Sequence, residues 1–63
     1  MQISKEKVMI RLTALHMTMD QLVKKSRISK WRLCDILNKG ECDNDELNSI
    51  SRALVTRSED LSK

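Results

Sequence analysis

At 63 residues the chain makes one domain (1–63) with a small core, since a domain of this size buries only about 60% of its unfolded surface. Twelve Lys and Arg against nine Asp and Glu give a net charge of +3. No run approaches the roughly 20 apolar residues of a membrane span, and MQISKEKVMIRL is too often interrupted by charge to be a signal peptide. The absence of Pro, with one Gly and one aromatic residue, argues against β turns and for helix throughout. Cys34, Cys42 and His16 offer neither a disulfide framework nor the paired spacing of a zinc site, so two reduced cytosolic thiols, no metal and no cofactor are expected.

In chain order, Ser4 reads as the cap of a first helix running to about Leu15. Val8, Leu12 and Leu15 form its core stripe, Met9 and Ile10 widen it, and Lys5, Lys7 and Arg11 lie outside. His16, Met17 and Thr18 link onward. The lone His has no Cys, Ser or carboxylate partner at helical spacing and reads as a last-turn residue at the solvent edge. Met9, Met17 and Met19 read as adaptable core filler.

The stretch from Thr18 to Asn38, TMDQLVKKSRISKWRLCDILN, predicts two short helices joined by a tight turn. Thr18 caps the first, with Asp20 and Gln21 in its first turn and Leu22 and Val23 on its apolar side. Ser29 caps the second, which carries Leu33, Ile36 and Leu37. Ile28 plugs the turn. This is the form of a helix-turn-helix at about 18–38, whose second helix enters a major groove. Gly40 ends that helix, with Lys39 in its last turn. In ECDND, Asp43 or Asn44 caps a fourth helix, with Asp45 and Glu46 in its first turn and Leu47, Ile50, Ala53 and Leu54 inward. This acidic segment lacks the ligand alternation and closing Glu of an EF-hand. The tail 56–63 is either frayed or a short fifth turn.

Leu22-Val23, Ile28-Ser29, Leu33, Ile36, Gly40 and LNSISRAL (Leu47 to Leu54) together resemble the lambda-repressor/Cro superfamily, the XRE-like group, over roughly residues 7–55. The resemblance implies an all-α, compact four- to five-helix lambda-repressor-like domain. It also implies a transcriptional regulator of phage or mobile-element kind that binds palindromic operators as a two-fold dimer. Family base-contact positions correspond to Lys30, Trp31, Cys34 and Asp35. The chain departs from the pattern at Met19, where the family has a phosphate-contacting Gln. It departs again at Arg27, where a turn Gly takes a left-handed conformation that other residues adopt only at a cost.

Charge placement agrees with a phosphate-binding face. Residues 1–39 hold nine Lys and Arg against three acids, whereas residues 40–63 hold three against six. No catalytic constellation is present: the only His is unpaired, there is no Gly-rich phosphate loop, and so little chain walls off no dry pocket. An enzyme is not expected. A DNA-binding mechanism uses the Thr18 hydroxyl and neighbouring N–H groups, with Lys24, Lys25 and Arg27, on phosphates. Bases are read through Ser29, Lys30, Trp31, Arg32 and, further along, Asp35 and Asn38. Asp35 repels phosphate unless a base amine or Arg32 meets it. If Trp31 is buried it anchors packing; if exposed in a basic face, it favours DNA or another macromolecule. The expected partners are double-stranded operator DNA and a second copy of the chain, with the fourth helix and tail as dimer surface. The location is cytoplasmic, at the nucleoid when DNA-bound. With no room for an effector domain, regulation acts through concentration, dimerisation or a partner. The competing reading is a protein-interaction module that binds another regulatory protein and has lost operator recognition.

Overall fold

The structure, a computed structural model, describes residues 1–62; Lys63 at the end of the tail lies outside the described residues. Five helices follow in order: α1 (Lys5–Ala14), α2 (Met19–Ser26), α3 (Lys30–Lys39), α4 (Asn44–Ala53) and α5 (Ser58–Leu61). Among the described residues no strand forms, and extended pairing is confined to an isolated antiparallel bridge between Gln2 and Glu41. The all-α class expected from composition is what the chain adopts. Among the described residues no helix is long and apolar enough to cross a membrane.

Short polar side chains start the helices where the sequence placed them. Ser4 Oγ accepts the Lys7 N–H at 3.3 Å. Ser29 Oγ accepts the Arg32 N–H at 3.2 Å. Thr18 and Gln21 form a reciprocal box: Thr18 Oγ1 accepts the Gln21 N–H at 3.2 Å, and Gln21 Oε1 accepts the Thr18 N–H at 2.9 Å. At α4 the cap residue is Asp43, whose N–H donates to Glu46 Oε1 at 2.9 Å. Each of the hydroxyl caps at Ser4, Thr18 and Ser29 is worth about 1 kcal/mol.

The helix ends were less legible. α1 and α4 both close in a Schellman motif with a non-Gly residue in the left-handed region, His16 at φ 52° and Val55 at φ 53°. The His16 N–H donates to the Thr13 carbonyl at 3.1 Å and Met17 N–H to that of Leu12 at 2.9 Å. Val55 and Thr56 repeat the pattern onto Arg52 and Ser51. His16 is exposed and its service is to the backbone. A β-branched residue pays most for this conformation, and Arg11 offsets the cost at Val55. Its Nε donates to the Leu54 carbonyl at 2.9 Å and its Nη2 to that of Val55 at 3.1 Å. Arg11 is thus a tie between α1 and the end of α4, rather than the outward charge expected.

The core takes Val8 and Leu12 from α1, Leu22 from α2, Leu33, Ile36 and Leu37 from α3, Leu47, Ile50 and Ala53 from α4, Leu54 from the cap that ends it, and Leu61 from α5. One expectation is corrected and one open alternative is resolved. Met9 and Ile10 do not widen the α1 stripe; both are exposed, because at 100° per residue Ile10 lies about 200° from Val8. Nor is the tail frayed: of the two forms expected, the fifth turn is adopted, and Leu61 is fully buried. Met17 and Met19 pack against the core as filler. Ile3, given no role by the periodicity, is also fully buried. The extended segment before α1 holds it there. The Ile3 N–H donates to the Gly40 carbonyl at 2.9 Å, the Cys42 N–H to that of Met1 at 2.8 Å, and the Ser4 N–H to that of Leu61 at 2.7 Å. One short strap thereby ties the α3–α4 connection to α5.

Candidate nucleic-acid interface

The geometry of the site begins at the turn between α2 and α3. Arg27 adopts φ 61°, ψ 23°, the left-handed conformation that a Gly would take without the cost of about 1–2 kcal/mol. Ser26 is buried behind it; its Oγ accepts the Ile28 N–H at 3.3 Å and its hydroxyl reaches the Val23 carbonyl at 3.5 Å. Ile28 is half-buried and packs on the core, so the apolar plug expected in the turn is present. Arg27 itself points its charge to solvent.

Burial of Leu33, Ile36 and Leu37 sets the phase of α3 and turns Lys30, Trp31, Cys34 and Asn38 outward. Trp31 is 89% exposed, which decides between its two readings: it anchors nothing in this fold. Lys30, Trp31 and Cys34 together line a shallow hollow of apolar character. Of the exposed cations in this unit, Lys24, Lys25, Arg27 and Lys30 form no ion pair among the described residues. Ser29 is exposed but commits its side chain to capping α3. The Thr18 N–H and the Gln21 N–H are likewise consumed by their box, which leaves the Thr18 hydroxyl proton and the first-turn N–H groups of Met19 and Asp20 as donors without a partner among the described residues at the start of α2.

Arg32 is where the structure departs most from the sequence reading. Its guanidinium grips Glu46 of α4 bidentately, Nε to Oε2 at 2.6 Å and Nη2 to Oε1 at 2.8 Å, while Nη1 reaches Asp35 Oδ2 at 3.1 Å. Such fork-to-carboxylate pairs are the strong, geometrically specific ones. The hydrogen bond from Arg32, joined by that from the Asp43 N–H, holds the Glu46 carboxyl down at about 2, and Glu46 in return raises the Arg32 guanidinium above its ordinary value. Each of the three guanidinium nitrogens makes a carboxylate contact within the protein, so Arg32 is ion-paired rather than the free cation that the sequence reading expected. Asp35, the uncomfortable acid on this helix, is met by Arg32 and by Lys39 Nζ at 3.4 Å. In the sequence Glu46 shows only as a first-turn acid of α4. No linear spacing rule would have found its partner, 14 residues away across the bend at Gly40.

Among the described residues no group of three or more His, Cys, Asp or Glu is placed to hold a metal ion. Both cysteines are free: Cys34 is exposed on α3, and Cys42 is buried, which pushes its thiol up. Comparison of the chain with protein-family models, curated proteins and solved structures finds no match.

Proposed function

We propose that this chain is a sequence-specific, Cro-like DNA-binding regulator that sets α3 in the major groove of an operator and acts as a two-fold dimer. The observation that carries the reading is the outward row of Lys30, Trp31, Cys34 and Asn38 on one face of α3, together with the exposed cations Lys24, Lys25 and Arg27 of the preceding helix and turn, which form no ion pair among the described residues. Phosphate-facing cations supply affinity and register, while side chains on the groove-facing helix supply sequence preference. Lys30 suits guanine O6 and N7, Asn38 suits adenine, and the Trp31 indole packs on a thymine methyl. Arg32 acts as a positioning residue: by clamping Glu46 it fixes α3 against α4, and so fixes the angle at which the row enters the groove.

The exposure of Trp31 also suits a second reading, a module that docks on another regulatory protein, because a solvent-facing indole is a common anchor of protein interfaces. Selection from random-sequence duplex DNA, sequenced after rounds at two salt concentrations, separates the two. The expected result is a palindromic motif that depends on Lys30 and Trp31, with binding that weakens steeply at the higher salt. Motif-free binding that vanishes at modest salt would refute operator recognition and leave the protein-docking reading.

A further inference from the structure

We propose that the outer face of α1, with the groove between α1 and α5, is the surface on which two copies of this chain meet about a two-fold axis. The proposal deepens the dimer element of the reading above, and its test uses no DNA, so the two can fail separately.

Ile10 is 69% exposed and Met9 43%, which leaves an apolar ridge with Ala14 on the side of α1 turned away from the core. Beside the ridge runs a groove of about 540 Å³, with Ile10 and Ala14 on one wall and Leu61 at its base. The rims differ in sign: Lys7 and Arg11 stand on the α1 side, Glu59 and Asp60 on the α5 side. None of these four forms an ion pair among the described residues. Lys7 Nζ donates to the Ser62 carbonyl at 2.8 Å, Arg11 is spent on the carbonyls ending α4, and Asp60 Oδ2 accepts the Thr56 hydroxyl at 3.0 Å.

One patch therefore carries a ridge and a groove, and both signs of charge. An isologous contact has that requirement, because the same surface must complement itself across the axis. The ridge at Ile10 of each copy enters the groove of the other, and Lys7 of each meets Glu59 and Asp60 of the other. A recognisable interface needs about 1,000 Å² in total, or roughly 500 Å² from each copy. That is about one-ninth of the 4378 Å² that the chain exposes. The fourth helix is a poorer dimer surface: Leu47, Ile50 and Leu54 are spent on its own core, and what remains outward on it is polar. The patch lies on α1 and α5, so dimerisation through it covers neither α2 nor α3.

The test is sedimentation equilibrium of the chain alone over a wide concentration range, with helicity followed by circular dichroism. A reversible monomer–dimer equilibrium is expected, weakened at least about tenfold by Ile10→Glu at unchanged helicity. The charge arrangement gives a second, independent arm. Lys7→Glu and the double variant Glu59→Lys/Asp60→Lys each place like charges across the axis and dissociate. Mixed together, they form a heterodimer in which both charge contacts are again attractive. A chain monomeric at every concentration, a dimer indifferent to Ile10→Glu, or a mixture that stays dissociated would overturn the proposal.

Discussion

The salt dependence of DNA binding can be worked out from which cations the fold leaves free. Lys24, Lys25, Arg27 and Lys30 are exposed and unpaired among the described residues, whereas Arg32 is held by Glu46 and Asp35, and Lys39 by Asp35. If Lys24, Lys25 and Arg27 each neutralise one phosphate while Lys30 reads a base, the logarithm of the binding constant falls against the logarithm of salt with a slope of about −2.7 per protomer. Between 50 and 200 mM salt this amounts to a loss of about 40-fold per protomer, and a dimer with both heads engaged loses the square of that. Titration by fluorescence anisotropy on a selected operator at four or five salt concentrations gives the slope directly. Lys24→Gln and Lys25→Gln should each make it shallower by about 0.9 per protomer, while Lys30→Gln and Arg32→Gln should weaken binding with little change of slope. The reasoning fails if the unaltered chain shows a slope near −1, or if Arg32→Gln flattens it as much as Lys24→Gln does.

Three further outcomes follow from named contacts. Arg27→Gly relieves the left-handed strain and should stabilise the fold by about 0.5–1 kcal/mol, raising the melting midpoint by several degrees, while it costs one phosphate contact; stability and DNA affinity thus move in opposite directions. Glu46 has its folded carboxyl lowered from 4.5 to about 2, so the bridge contributes fully above the ordinary value and is lost as pH falls through that window. Urea midpoints measured from neutral pH down to about pH 2 should therefore fall less steeply for Glu46→Gln than for the unaltered chain, and identical acid limbs would sink the assignment. Leu61→Ala should cost about 2–5 kcal/mol, a large share of the roughly 3–9 kcal/mol that a chain of this length commands, and a change below about 1 kcal/mol would mean that α5 is not part of the cooperative unit.

What the sequence determined by itself is local in origin. Ser4, Thr18 and Ser29 cap the helices they were assigned, because a cap is a contact between a side chain and a backbone group three residues away. The inward set Leu22, Leu33, Ile36, Leu47, Ile50 and Leu54 was legible because helical periodicity needs only the spacing of apolar residues. Of the candidate site, the exposure of Lys30, Cys34 and Asn38 follows from the same phase. The exposure of Ile10 was recoverable from it too, by weighing Val8 and Leu12 before the apolar character of Ile10 itself.

Tertiary structure alone decided whatever depends on groups far apart in the chain. Arg32 looked like a base reader until α4 brought Glu46 to it, and Arg11 looked like a surface charge until the end of α4 offered it two carbonyls. Ile3 and Leu61 gained their burial from the strap joining residues 1–4 to the α3–α4 connection and to α5. Composition cannot say whether a lone tryptophan is core or surface. The fold settled that for Trp31, because Leu33, Ile36 and Leu37 had already filled the side of α3 that faces inward.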